Sequence, residues 1–507
     1  MPDKQSNPTI FTNATSNMMA FGVMIVVTFF MTPILVDGLG DDRYGIWVFV
    51  ESIIKYLALF DLGITAAVVK YVAKFNATQD KDEINRVYSS SIAIFSFLGL
   101  LVALTTASYV LWGGLPKSFD SSLAFDARIM IALLGFNLAV GLPLSVYNSM
   151  VSAIELYWVK NIVQVVMLIF RSLVFLWVLS MGWGIVAIGI SITVFSLLQH
   201  LTLLAIAHYT IPSLKFSFAS ITSSTFRKVG NYSIWSFIAA ISSRVSFQTD
   251  AIVIGFCIDP GSVTYFAIAA RLVEYSKSFV RSATMVMTPR FSVLDSLQKH
   301  EEIRRLLIFG TRISVWVTCF ISQGLIFLGP DFIGIWMGER FKVISSPVLI
   351  ILSLPLFLFL AHSVSARVLF GIGRVRPLAC AAALCAALNL GLSLALVQRW
   401  GIEGVAVGTA IPCFLQALLV AYIVCKATDL SKWELFRKAY ATPLWGAALA
   451  TAVWMYLLTY LPLDSYLGIF WAGMIGLSLN LGIALLLDRE LFQQVKSKIN
   501  VLSLKKR

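Results

Sequence analysis

Apolar residues occur along this chain in long blocks, each near the length of a membrane crossing and each closed by a short polar interruption. A hydrocarbon layer about 30 Å thick takes about 20 apolar residues as a helix. Helices satisfy every backbone polar group internally, so they can sit in lipid. The pattern predicts about fourteen such spans: Ser16–Val36, Tyr44–Ala73, Val87–Trp112, Ala124–Met150, Leu156–Ser180, Ile185–His208, Val229–Cys257, Val263–Pro289, Leu306–Leu328, Pro347–Phe370, Leu378–Val397, Val405–Cys425, Tyr440–Leu461 and Tyr466–Leu487. The second and eighth are longer than a crossing needs, which predicts that they tilt, bend or project from the bilayer.

Composition narrows the class. Of 507 residues, 58% are apolar and 13% are charged, and mean hydropathy is +0.84. Soluble domains hold about a quarter charged residues, so the expected fold is an all-α polytopic membrane protein. The net charge of +13 does not indicate nucleic acid, because no Lys/Arg tract interleaves with aromatic residues. The six cysteines lie in apolar stretches without a C-x-x-C pair and read as inert thiols. The first apolar run continues into further spans without a small-residue cleavage site, so it reads as a span rather than a signal peptide.

The basic residues set the orientation. With a cytoplasmic amino terminus, about 25 of the 39 Lys and Arg fall on the inner side, about five on the outer side and about nine within spans. This bias stays in phase through all the crossings and places both termini in the cytoplasm. The tail after Asp488 carries Leu491, Phe492, Val495, Ile499 and Leu502 among its lysines. It suits either a helix on the inner leaflet or a flexible solubilising tail.

The two halves repeat. Trp183-Gly184-Ile185 matches Trp400-Gly401-Ile402, and Leu198-Gln199 matches Leu415-Gln416, both at an offset of 217. Asp82-Glu83-Ile84-Asn85-Arg86 matches Glu301-Glu302-Ile303-Arg304-Arg305 at 219, as Tyr56 matches Tyr275, and Pro143 matches Pro355 at 212. An even number of spans separates the copies, so they share one orientation, as parallel transporter repeats do. The expected layout is an N-terminal lobe over 1–210, a cytoplasmic linker over 211–228, a C-terminal lobe over 229–426, and two further spans with a tail over 427–507. Each lobe would hold six helices, with a substrate cavity between them opening alternately to either side.

Charges inside the spans point to that cavity, since each costs about 2.5–3.5 kcal/mol or more at the bilayer centre. Glu51, Lys55 and Asp61 lie in span two, Arg171 in span five, and Arg244, Gln248 and Asp250 in span seven. Span eight carries Arg271, Glu274, Lys277 and Arg281 on one polar stripe. Two readings stand. In one, Glu51–Lys55 and Arg271–Glu274–Lys277 are neutralising pairs along helix faces. In the other, Arg171, Arg244 and Arg281 have no acidic neighbour on their own helices and line a wet cationic cavity, where a phosphate or diphosphate suits the Arg fork. Arg128, Arg312 and Arg367 lie near span ends and read as snorkelling residues.

Nothing points to catalysis. None of the four histidines stands at metal-ligand spacing from another ligand, no phosphate-binding loop motif is present, and no catalytic residue, cofactor or metal is expected. A membrane-embedded glycan enzyme would need a large polar outer loop, and the longest, Gly329–Ser346, cannot form a domain.

A family resemblance runs through both lobes. Thr32-Pro33, Gly38-Leu39-Gly40, Tyr44-Gly45-Ile46-Trp47, Phe60-Asp61-Leu62-Gly63-Ile64 and Lys70-Tyr71-Val72-Ala73 resemble the amino-terminal signature of bacterial polysaccharide-biosynthesis flippases. These belong to the multidrug/oligosaccharidyl-lipid/polysaccharide exporter superfamily. Trp400-Gly401-Ile402-Glu403-Gly404-Val405-Ala406 resembles the pattern of the second lobe. The resemblance implies transport of a polyprenyl-diphosphate-linked oligosaccharide across the bacterial cytoplasmic membrane by rocking lobes. The headgroup would lie in a cationic cavity and the prenyl tail in lipid, with spans thirteen and fourteen forming a groove for it. Lipid-linked glycan and membrane lipids are the implied partners, with glycan polymerase or assembly proteins as further ones. No family motif fixes the cavity. Arg171, Arg244, Arg271, Lys277, Arg281, Gln248 and Lys55 as substrate contacts, and Glu51, Asp61, Asp250 and Glu274 as coupling or gating groups, rest on the residues alone. Asp61 does match the motif, where it can serve the bend of span two instead. The rival of the same fold is a cation-coupled drug exporter, which resembles this architecture with fewer spans and acids in a mostly neutral cavity.

Overall fold

The computed structural model describes residues 6–61, 64–221, 248–285, 287–488 and 493, and among these the secondary structure is helical, with no strand. They form two compact units, Met1–Thr264 and Tyr265–Arg507. The first holds α1 (Ser6–Leu39), α2 (Asp41–Leu57), α3 (Ile64–Ala77), α4 (Lys81–Trp112), α5 (Ser121–Ala153), α6 (Tyr157–Ser180) and α7 (Ile185–Thr210). It also holds α8 (Gln248–Cys257) and the start of α9 (Pro260–Met285). The second continues with α10 (Met287–Ser296), α11 (His300–Phe327), α12 (Gly329–Met337), α13 (Glu339–Ser353), α14 (Leu356–Gly371) and α15 (Val375–Thr428). It ends with α16 (Lys432–Leu458) and α17 (Tyr466–Leu487). Residues 248–264 thus group with the first unit, beyond the expected linker, whose positions from 222 onward lie outside the described residues. The tail after Asp488 lies outside them too, apart from Gln493.

Among the described residues nine helices are long and apolar enough to cross a membrane, or ten if α13 and α14, bent by 43°, form one span. The difference from about fourteen has local causes. α15 is two helices joined at Gly401, whose φ of 56° and ψ of −135° reverse the chain. The reversed halves pack through Gly404 and Gly408, where an added Cβ would run into the Leu396 carbonyl oxygen and would meet Ser393 Oγ at 2.6 Å. That close approach is what a small-x-x-x-small pattern permits in lipid. The remaining expected spans are the second, seventh and eighth. The seventh is described only over α8, and the other two are the charge-rich ones. The second is also broken, as its length suggested, by a 3-10 turn over Ala58–Asp61.

Capping chemistry starts the helices where the sequence turns polar. Asp80 accepts from the Glu83 amide at 3.1 Å and Asp120 from the Leu123 amide at 2.8 Å. The Leu123 amide and Ser122 hydroxyl hold the Asp120 carboxyl below the usual carboxylate range. The repeat recurs in the starts of the elements: Asp41 and Pro260, Lys81 and His300, Ser121 and Glu339. It recurs in the strained positions as well, since Gln79 and Gln298 both have a φ of 56°.

Each unit has its own core. α5 is central to the first, packing on α2, α3, α4 and α7 around Val68, Phe95, Val146 and Met150. α11 is central to the second, around Leu307, Val315, Val364 and Val424. The two final spans pack against α11. Gln323 Nε2 donates to the Ala447 carbonyl at 2.9 Å and to Thr451 Oγ1 at 2.8 Å, and its Oε1 accepts from Asn480 Nδ2 at 3.0 Å. This buried network pins α16 and α17 to α11. Leu100, Leu104, Phe170 and Leu173 are exposed on the helix surfaces, as lipid-facing residues should be.

Candidate functional site

In the first unit a cavity of about 480 Å³ is built from residues one helical turn apart. α2 supplies Trp47, Glu51 and Lys55; α5 supplies Asn137, Gly141 and Ser145; α7 supplies Ile192, Ser196 and His200; and α6 supplies Arg171. Asp61 and Thr65 line it at the break between α2 and α3. Lys55 Nζ lies 3.1 Å from Glu51 Oε1, so this pair is neutralised along one helix face. Asp61 Oδ1 accepts from the Thr65 hydroxyl at 2.5 Å and the Thr65 amide at 3.4 Å, capping α3. It therefore secures the bend while facing the cavity.

Arg171 is different. Among the described residues it has no ion pair, and its buried Nε has no hydrogen-bond partner. Glu51 is close enough to act on its charge without reaching bonding distance, and the Phe175 ring centroid is 5.8 Å from its Cζ. His200 Nδ1 and Asn137 Oδ1 are likewise buried without a hydrogen-bond partner among the described residues. Buried polar groups are ordinarily bonded to protein or to water, which leaves these three able to bond to a molecule in the cavity. By formal charge its described lining holds two carboxylates and two cations.

In the second unit the polar stripe of α9 is present, with one correction. Arg281 Nη2 lies 3.9 Å from Glu274 Oε1, so this guanidinium is not the unneutralised group the sequence suggested. Seven residues make nearly two full helical turns and return a side chain to the same face, a reach longer than the usual one-turn pair. The contact is loose and half exposed. Lys277 is buried, with Nζ 5.4 Å from the centroid of Phe359 on α14. The Phe359 ring lies 4.8 Å from that of His362, and Arg367 on the same helix is within electrostatic reach of Arg281. Arg271, Lys277, Arg281 and Arg367 therefore stand on neighbouring elements with Glu274, a formal cationic excess.

Other expected site residues are placed separately. Arg244 lies outside the described residues. Gln248 opens α8, where Asp250 is buried and Thr249 shares a hydrogen bond with the Tyr56 hydroxyl, beside Lys55. Asn161, on the same helix as Arg171, is spent on α1, donating to Ser16 Oγ at 3.0 Å and Asn17 Oδ1 at 2.7 Å. Of the residues read as snorkelling, Arg128 donates to the Val110 carbonyl at 2.6 Å and Arg312 lies 3.0 Å from Asp488. Sequence reasoning passed over Asn137, His200, His362 and Arg367. For the first two a signal existed: Asn137, Gly141 and Ser145, like Ser196 and His200, break otherwise apolar helices at one-turn spacing. For Arg367 none did, because its approach to Arg281 depends on how two helices pack.

The model of the family described as "Polysaccharide biosynthesis protein" matches residues 9–295. The "Putative O-antigen transporter" of Shigella flexneri is 22% identical over 439 residues, covering 82% of this chain and 97% of that protein. The "Probable low-salt glycan biosynthesis flippase Agl15" of Haloferax volcanii is 25% identical over 196 residues, covering 39% of this chain and 41% of that protein. Among solved structures, the lipid II flippase MurJ in an inward closed conformation superposes with a TM-score of 0.76 at 16% identity, covering 95% of this chain and 99% of MurJ. That likeness establishes the fold, all-α and polytopic, and these relatives are named as transporters and flippases rather than enzymes. With more than half of its length matched by the family model, the chain belongs to the polysaccharide biosynthesis protein family.

Proposed function

We propose that this protein is a flippase that moves a polyprenyl-diphosphate-linked oligosaccharide across the bacterial cytoplasmic membrane by alternating access of its two units. The diphosphate is held by intramembrane cations and the prenyl tail stays in lipid. Both termini face the cytoplasm, following the basic bias of the loops. The observation that carries this reading is Arg171, an intramembrane guanidinium on a cavity, with no ion pair among the described residues. Keeping such a group in a membrane is costly, and a bound anion offsets the cost. A diphosphate offers oxygens in the spacing that the planar Arg fork prefers. Lys55, Arg244, Gln248, Arg271, Lys277 and Arg281 are the further contacts, and Glu51, Asp61, Asp250 and Glu274 the coupling or gating groups. Glycan polymerase or assembly proteins would take up the product.

Separate Arg171→Ala and Lys277→Ala variants test the reading in cells. Surface glycan should fall and lipid-linked oligosaccharide should accumulate on the inner leaflet, at unchanged protein abundance. Wild-type export by both variants would refute the cavity assignment. A loss of dye efflux with surface glycan intact would identify a drug exporter instead.

A further inference from the structure

The second unit has another cavity, of about 350 Å³, where α11 begins, α15 ends and α16 begins. Its walls carry both signs of charge, and most of the charged groups are committed. Arg304 lies 3.5 Å from Glu301, Lys438 lies 2.6 Å from Glu434, and Arg312 lies 3.0 Å from Asp488. Arg304 also donates to the Thr428 carbonyl at 2.6 Å. Two lining groups are left open. Among the described residues neither Arg305 nor Asp429 has an ion pair or a side-chain hydrogen bond, and they do not pair with each other. Both are exposed. Asp429 is fixed in the left-handed conformation that ends α15, with a φ of 51°.

One open guanidinium and one open carboxylate on a shared cavity suit a ligand that is itself a zwitterion. Phosphate oxygens accept from the Arg305 fork, and ammonium hydrogens are donated to Asp429. The surroundings belong to a membrane interface. Trp433 and Phe436, on either side of Glu434 in sequence, are exposed and stack with ring centroids 5.6 Å apart. Leu486 and Leu487 are exposed at the end of α17, next to the Asp488 that pairs with Arg312. Interfacial aromatics of this kind lie at the level of lipid head groups.

We propose that this cavity binds the head group of a phospholipid carrying both a phosphate and a primary ammonium, as in phosphatidylethanolamine. The site lies apart from the residues assigned to the diphosphate cargo and does not depend on that assignment. Native mass spectrometry of the full-length protein tests it, after incubation with phosphatidylethanolamine, phosphatidylcholine or phosphatidylglycerol in mixed micelles. Phosphatidylethanolamine should be retained above phosphatidylcholine, whose ammonium has no N–H, and above phosphatidylglycerol, which has no ammonium. Arg305→Gln should lower its retention about threefold, the scale of an exposed charge contact. Asp429→Asn keeps a residue that tolerates the left-handed conformation, and should abolish the preference over phosphatidylglycerol. Equal retention of the three lipids, or variants that match the wild type, would overturn the proposal. So would displacement of the lipid by an equal concentration of soluble phosphoethanolamine, which would assign the cavity to a water-soluble ligand.

Discussion

At the scale of single residues, intramembrane polar groups divide into those that hold the protein together and those left open. Gln323 and Asn480 are of the first kind. Gln323→Leu removes the acceptor of Asn480 Nδ2 at 3.0 Å, leaving that amide only the Gly476 carbonyl of its own helix at 2.9 Å. We expect a loss of about 0.6–1.7 kcal/mol, the range for hydrogen bonds between membrane helices. It should be read as a lower unfolding midpoint in mild detergent. Arg171 is of the second kind. Arg171→Ala should lower export about ten- to a hundredfold, the worth of one charged hydrogen-bond contact, without lowering the unfolding midpoint. Arg171→Lys separates charge from geometry: if the contact is bidentate, lysine should recover little of the activity. The sequence showed that Arg171 lacks an acidic neighbour on its own helix. It did not show that Arg281 has one, because Glu274 lies nearly two turns away.

At the scale of elements, breaks matter more than helices. Long apolar runs declare themselves, and Tyr466–Leu487 has the same ends in the sequence reading and in the structure. The breaks are set by few residues. Asp61 caps α3 across the bend, and Gly401 reverses α15 with a positive φ that other residues resist. Gly401→Ala should cost about 1–3 kcal/mol through backbone strain alone. A thermal shift of the purified protein measures it, and an unchanged midpoint would mean that the turn relaxes. Trp400-Gly401-Ile402 was legible as a repeat of Trp183-Gly184-Ile185 and as a loop between two spans. Its φ of 56° with ψ of −135° was not, since a glycine in a loop is equally compatible with the αL cap that ends an ordinary helix. The polar stripe of α9 was legible as periodicity. Its facing partners on α14, Phe359, His362 and Arg367, were not, because helix spacing says nothing about which helix lies opposite.

At the scale of the whole molecule, the class was fixed by composition and block length, and the family match agrees with it. The duplication survives as matched element starts and matched strained residues, Gln79 with Gln298, in two compact units. The charges do not follow the duplication. Among the described residues, the lining of the first unit's cavity carries two acids and two cations, while the basic excess gathers on α9 and α14. Transport itself is the most direct test of this account. The purified protein, reconstituted into vesicles, should move a fluorescent polyprenyl-diphosphate oligosaccharide from the leaflet where it is loaded to the opposite one, as read by quenching with a membrane-impermeant reductant. The expected result is protein-dependent transfer that Arg171→Ala and Lys277→Ala each slow. Transfer that is absent in the wild type, or as fast in both variants as in the wild type, would contradict it.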